Sequence, residues 1–534
     1  HKINYVRNII AIAIIWVIGF GAINLGIASS LLSAKFGNLA DSYREYGFVY
    51  CFTNSLVNTG VDKPADYSDK TIKSLTADVE ETKVKKKPNI IFLQLESFFD
   101  INNMTNITFS EYPVPYFESL MEQYPSGYLD VPIVGAGTVN TEFEVMTGMN
   151  LDDFGPGEYP FKTILKETTC ESIAYNLKEY GYATHAIHDN TATFYSRNVV
   201  FSNLGYDTFS SIETMNIDDF TPMGWAKDYF LTDEIVAALD STEGQDYIYT
   251  ISVQGHGSYP TEGDYPITVS GLDDQAKTNQ YQYYVWQINE MDKFIQKLVE
   301  TLSQRDEDTI LVMYGDHLPS LGITESELVN GDVYQTQYVI WSNFKTKYED
   351  EDIEAYQLQP KILGGLNMTA GTINNYTQKH KNDDDYADGL QNLEYDSLYG
   401  DHLLYGGDNP YVATDIQFGL TKVSVSSISP MNDGSGTVYI YGKNFTNYSK
   451  VYINDEKVST VFIDDSTLMI NYDDLKDGDS FSVYQQNSDT HVLKKTDPII
   501  FESENLAMPQ EETTIPETTV PETKKNKKNK KNKE

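Results

Sequence analysis

The first strong pattern in the chain is apolar. No charged residue lies between Arg7 and Lys35, and Ile9 to Leu32 form a run of 24 mostly apolar residues. About 20 such residues span the hydrocarbon core of a bilayer, whereas the apolar core of a secretory signal is about 7–15 residues long. Residues 1–36 are therefore expected to hold a transmembrane helix, with Trp16 in mid-span. Lys2 and Arg7 precede the run and acidic residues come soon after Lys35. That asymmetry places the start in the cytoplasm and the remainder outside. The chain opens on His rather than Met, so further membrane helices are expected before it.

Residues 37–87 are polar and close on Lys83, Lys85, Lys86, Lys87 and Pro88, as a membrane-proximal linker would, with Tyr43 to Leu56 helical. An exposed linker of this kind is a candidate cleavage site for proteolytic release of the extracellular part. Residues 88–420 alternate strand-length apolar runs with helical patterns, which predicts an α/β domain around a mostly parallel sheet. The runs are Asn89–Leu95, Tyr182–Ile187, Tyr247–Val253 and Thr309–Tyr314. Continuous apolar strands suit a sheet covered on both faces. From Val423 to Glu502 the texture becomes β-rich, with short runs at Thr437–Tyr441, Lys450–Ile453, Thr467–Ile470 and Phe481–Tyr484. Their spacing predicts a small Ig-like β-sandwich. Gly442 and Asn444 fit a turn with positive φ. Residues 503–534 read as a disordered Pro/Glu/Thr segment and then a Lys-rich tail.

Composition narrows the function. The formal net charge is −40, which argues against nucleic acid as a partner because its phosphates would be repelled. The last eleven residues run the other way, with seven Lys and one Glu, and suit anionic wall polymer or lipid. Forty Tyr and 24 Phe exclude a disordered acidic chain. Two cysteines allow neither a disulfide framework nor a Cys-rich zinc site.

The predicted strands end in chemistry. Glu96 comes after the first; His188 and Asp189 after the second; Gln254, Gly255 and His256 after the third; Gly315, Asp316 and His317 after the fourth. Sheets of this type bind ligands beyond the carboxyl ends of their strands. Glu96, Asp316 and His317 are oxygen and imidazole ligands that suit Mn²⁺, Mg²⁺ or Zn²⁺. Gly315 is expected to supply the backbone freedom that turns Asp316 and His317 toward one point. Val134–Met146 runs from a glycine loop into a helical pattern, where Thr141 and Glu144 fit a capping box. Thr138 lies just upstream, near a helix N-terminus that favours an anion, and a divalent metal would activate its hydroxyl.

Several short motifs, in order and at the right spacing, resemble the extracellular domain of lipoteichoic acid synthases, polyglycerol-phosphate polymerases of the sulfatase-like, alkaline-phosphatase superfamily. They are residues 88–97 (Pro-Asn-Ile-Ile-Phe-Leu-Gln-Leu-Glu-Ser), 137–144 (Gly-Thr-Val-Asn-Thr-Glu-Phe-Glu), 194–198 (Phe-Tyr-Ser-Arg-Asn), 224–228 (Gly-Trp-Ala-Lys-Asp), 314–317 (Tyr-Gly-Asp-His) and 395–401 (Tyr-Asp-Ser-Leu-Tyr-Gly-Asp). The resemblance implies a nucleophilic Thr138, one Mn²⁺-type metal held by Glu96, Thr138, Asp316 and His317, and a glycerol-phosphate site formed by His188, Tyr195, Arg197 and His256. It departs from the family at Tyr195, where tryptophan is usual. It further implies that phosphatidylglycerol is the donor, that a polyglycerol-phosphate chain or glycolipid anchor is the acceptor, and that the enzyme works at the outer face of a bacterial membrane. The formylglycine motif Cys-x-Pro-x-Arg is absent, and Cys170 sits in Thr-Cys-Glu-Ser, so ordinary sulfatase chemistry is not expected. Residues 423–502 resemble the IPT/TIG sandwich through Val425–Pro430, Val438–Phe445 and Val451–Asn454. The competing readings are a phosphoethanolamine transferase or phosphodiesterase of the same superfamily, and a non-catalytic envelope protein.

Overall fold

The apolar run forms one helix, α1 (Tyr5–Ala28), with every side chain from Tyr5 to Ala22 on the surface. It is long and apolar enough to cross a bilayer. The computed structural model describes residues 5–29, 31–32, 39–57, 59–77, 83–488 and 490–503. The Lys-rich tail lies outside these. After α1 come α2 (Leu39–Tyr46) and α3 (Phe48–Val57), so the predicted single helix is broken at Gly47, where φ is 80°. Residues 59–77 pack against the α/β body. Val61 and Ile72, the latter in α4 (Asp69–Leu75), enter its core, and the Tyr67 hydroxyl donates to the Asp396 carboxylate.

The body is built on a nine-stranded sheet. Its strands in chain order are β1 (Asn89–Leu95), β2 (Ser126–Asp130), β3 (Ala183–His188), β4 (Thr208–Ser211), β5 (Asp246–Ile251), β6 (Thr309–Gly315), β7 (Gln335–Ser342), β8 (Ile353–Glu354) and β9 (Gln417–Phe418). Their spatial order is β8-β2-β7-β6-β1-β5-β3-β4-β9. Every pairing is parallel except those of β7, which runs against β2 and β6. The continuous apolar strands have the predicted cause. Ile90 and Phe92 face one core cluster, while Ile91, Leu93 and Leu95 face another across the sheet. Helix α5 (Thr138–Thr147) covers the first face and the long α6 (Gln275–Ser303) the second.

Two local expectations change. His188 is the last residue of its strand rather than the first beyond it, because β3 pairs with β5 as far as His188 and Ile251. Gly315 is an ordinary extended residue pairing with Leu95, and its value is space: a Cβ there would stand 1.7 Å from the Phe98 carbonyl oxygen.

Residues 424–500 form two antiparallel sheets. One holds Ser424–Pro430, Thr437–Lys443, Thr467–Asn471 and Thr460–Asp464; the other is centred on Ser449–Ile453 and Ser480–Ser488. Val438, Ile440, Val451, Leu468 and Val483 fill the space between them. Asn444 takes the expected positive φ of 62°, whereas Gly442 is extended and makes room for the Ser424 carbonyl.

The packing at Gly315 generates a test. Gly315→Ala should destabilise the body by about 3 kcal/mol, the upper range for overpacking, read as a lower urea midpoint.

Candidate active site

The parallel pairing of β1 and β6 sets Leu95 opposite Gly315, so Glu96 and Asp316 leave neighbouring strands side by side. Ser97 turns the chain at φ 54°. Its N–H donates to Asp316 Oδ1 at 2.7 Å and its hydroxyl to Glu96 Oε1 at 2.9 Å. Thr138 opens α5, with Gly137 before it at φ 101°. The Thr138 hydroxyl donates to Glu96 Oε2 at 2.9 Å. Thr141 and Glu144 do not form the expected capping box, because Gly137 holds the cap position. Thr141 instead donates to the Asp316 carbonyl at 2.8 Å, and Glu144 accepts from the Leu151 N–H at 2.9 Å.

His317 Nδ1 bonds the Leu318 carbonyl at 2.9 Å, so in the neutral ring Nε2 carries the lone pair. Nε2 lies 3.7 Å from Glu96 Oε1 and 3.5 Å from Asp316 Oδ2. Both His317 Nε2 and Asp316 Oδ2 are buried without a hydrogen-bond partner. Burial first, and then the Glu96 charge, pushes the Asp316 carboxyl well above the usual carboxylate range. Orphaned buried groups of this kind are costly. The three residues offer ligand atoms within 4.8 Å of one another. This oxygen-and-imidazole set fits a hard or borderline divalent cation.

The other four predicted residues are linked by their charges: His188 feels Arg197 and His256, and Tyr195 and Arg197 feel each other and Glu96. His188 Nδ1 bonds the Ile251 carbonyl at 3.0 Å. Burial, and then the Arg197 and His256 charges, hold its pKa well below that of a free imidazole. Tyr195 and Ser196 are consecutive left-handed residues at φ 56° and 62°, strain of a kind that persists only where the surroundings enforce it. The Tyr195 ring lies nearly parallel to Tyr159, with centroids 6.1 Å apart. Arg197 is 1% exposed, and its Nε and Nη2 donate to Glu142, the former at 3.0 Å. Its Nη1 is buried without a partner. The His256 ring packs 4.3 Å from that of Trp225.

Residues without an assigned role in the sequence also contribute. Glu142 is four residues beyond Thr138 on α5, a spacing that puts both on one helix face. Lys162 Nζ stands 4.4 Å from the Tyr159 ring centre and 4.7 Å from that of Tyr195. Asp228 Oδ1 accepts the N–H groups of Val253 and Gln254 at 3.1 and 3.0 Å, which fixes the loop leading to His256. Asp228 and the buried Asp189 form a carboxyl pair; burial, opposed by the Val253 and Gln254 N–H groups, raises Asp228 to about 6, while burial and then the Asp228 charge raise Asp189. A cleft of 720 Å³ is lined by Gly135, Ala136 and Asn140, which flank Thr138 in the sequence, by Tyr159 and, from α2, by Tyr43 and Arg44.

A covered, mostly parallel sheet with candidate ligands at its strand ends defines an α/β protein of the ligand-binding kind. The family model described as Sulfatase matches residues 88–368, more than half of the sequence, and the chain belongs to that family. A second model, IPT/TIG domain, matches residues 423–498. A putative cyclic beta-1,2-glucan modification protein of Rhizobium meliloti is 29% identical over 57% of this chain and 50% of its own length. A lipoteichoic acid synthase of Staphylococcus saprophyticus is 26% identical over 45% of this chain and 37% of its own. The chain thus spans half or less of the length of these relatives. The structure of Streptococcus pyogenes phosphoglycerol transferase GacH in complex with sn-glycerol-1-phosphate shares the fold, with a TM-score of 0.57 at 22% identity, over 66% of this chain and 100% of that one.

The geometry yields two predictions. Mn²⁺ at a hundredfold excess over its Kd should stabilise the protein by about 2.7 kcal/mol, and Asp316→Ala should abolish the accompanying rise in Tm. His188 is held neutral by the fold, so below about pH 6.5 the unfolded chain binds the extra proton and stability falls as pH falls. In His188→Gln the metal-free loss of unfolding free energy between about pH 7.5 and 5.5 should be smaller.

Proposed function

We propose that the protein is a membrane-anchored extracellular glycerol-phosphate transferase. It takes glycerol phosphate from phosphatidylglycerol through a covalent threonine intermediate, releases diacylglycerol, and extends a polyglycerol-phosphate chain or primes its glycolipid anchor. The observation that carries this reading is the Thr138 hydroxyl, 2.9 Å from Glu96 at the start of a helix, beside two buried ligand atoms that have no partner.

Glu96, Thr138, Asp316 and His317 would hold the cation, Mn²⁺ by resemblance, with Mg²⁺ or Zn²⁺ compatible with the donors. When bound it supplies a Lewis acid that lowers the hydroxyl pKa and polarises a phosphate oxygen. Thr138 Oγ1 passes its proton to Glu96 Oε2 and attacks phosphorus, and the bond to the diacylglycerol oxygen breaks. His256 protonates that oxygen as it leaves. Arg197 presents Nη1 to a phosphoryl oxygen while Glu142 fixes the guanidinium plane. His188, neutral and tethered to Ile251, bonds the headgroup, and Tyr195 packs against its glycerol. The acceptor hydroxyl then gives its proton to His256 and attacks the phosphothreonyl ester, the P–Oγ1 bond breaks, and Oγ1 recovers its proton from Glu96, which restores Thr138. Two displacements make the kinetics ping-pong. Helix α1 keeps the enzyme beside its lipid substrates, and the β-sandwich with the Lys tail contacts wall polymer. A sugar hydroxyl is a second acceptor class, favoured by the likeness to a glucan modification protein.

The test is incubation with labelled phosphatidylglycerol and Mn²⁺. Diacylglycerol should be released, and Thr138→Ala should lower the rate by about 10³-fold or more. Turnover of phosphatidylethanolamine in place of phosphatidylglycerol would reassign the enzyme to phosphoethanolamine transfer. Hydrolysis without any acceptor dependence would make it a phosphodiesterase.

A further inference from the structure

Glu213 lies just beyond β4, is fully buried, and joins two parts of the molecule. Its carboxylate oxygens accept the Ala192 N–H at 3.3 and 3.1 Å, the Ser211 hydroxyl at 2.5 Å and, from the β-sandwich, Asn487 Nδ2 at 3.1 Å. Its backbone carbonyl accepts the Thr446 hydroxyl at 2.7 Å and the Gln485 amide. Asn487 Nδ2 also donates to Thr193 Oγ1 at 3.1 Å. Three sandwich residues therefore grip one side chain and backbone unit, which in turn holds the main chain three residues before Tyr195 and five before Arg197. Apolar contacts flank the joint: Tyr448 packs on the core cluster beneath one face of the large sheet, and Leu493 on the cluster beneath the other.

A module that swung on a linker would keep such polar groups in water. Here Thr446 and Gln485 are each 2% exposed, and buried polar groups of this sort hold one geometry only when paired. The loop they support needs support, because its two left-handed residues sit beside the Arg197 guanidinium. We infer that the β-sandwich is a working part of the headgroup site. Through Asn487, Gln485 and Thr446 acting on Glu213, it fixes the 189–197 loop and so sets affinity for a glycerol-phosphate headgroup. These four are positioning residues. The inference rests on the proposed role of Tyr195 and Arg197.

The test uses the full chain with two substitutions, Asn487→Asp, which keeps the shape but cannot donate, and Asn487→Ala. Hydrogen exchange of residues 190–197 should quicken about fivefold, the scale of one lost hydrogen bond, while 309–315 and 437–443 stay protected. The Kd for glycerol phosphate and the KM for phosphatidylglycerol should rise by about the same factor, with kcat unchanged. Unaltered exchange at 190–197 in Asn487→Asp would overturn the inference, as would faster exchange with unaltered affinity. Failure of the proposed function itself shows separately, as no diacylglycerol release by the unsubstituted protein.

Discussion

The site depends on the register between β1 and β6. Both strands are buried on both faces, so the usual penalty against a slipped register, apolar groups turned to water, does not operate. Other groups must fix it. At one end the Asn89 N–H donates to the Asp308 carbonyl at 2.8 Å. At the other, Gly315 leaves room for the Phe98 carbonyl and the Ser97 N–H reaches Asp316. A slip of one residue would part Glu96 from Asp316 and leave carboxylates buried alone. The polar ends of the strands thus choose the alignment that the apolar middles tolerate.

The proposed function asks an acidic protein to hold an anion. The fork of Arg197 is largely spent on Glu142, the Glu96 charge also acts on it, and Glu96 and Asp316 both flank His317. Without a cation such a pocket would repel a phosphate, so the proposed function requires headgroup binding to be coupled to compensation of those carboxylates. The bulk charge of −40 then acts outside the pocket, where screening by salt is strong.

Much of this was legible in the chain itself. Apolar runs of strand length placed the sheet, and residues at their ends placed Glu96, His188, His256, Asp316 and His317 within a few positions. Glu142 was legible in principle, since helical spacing from Thr138 points to it. The break at Gly47 and the true reason for Gly315 were not, because a glycine that bends the chain and one that admits a neighbouring carbonyl look alike in sequence. The pairing of Asp189 with Asp228 and of Glu213 with Asn487 joins residues 39 and 274 positions apart, and no local pattern encodes such contacts. The left-handed turn at Tyr195 and Ser196 was equally hidden, since neither residue advertises it.

Tyr43 and Arg44 line the cleft beside Thr138, although they belong to the stretch between the apolar helix and the sheet. A form cut just before Gly60 would keep the core and the candidate metal ligands, yet would lack one wall of that cleft. If the cleft carries the acceptor of the proposed function, such a truncated form would handle small headgroup analogues as the whole chain does and long lipid-linked chains less well. For work toward inhibitors, the relevant target is then the form that keeps both walls of the cleft.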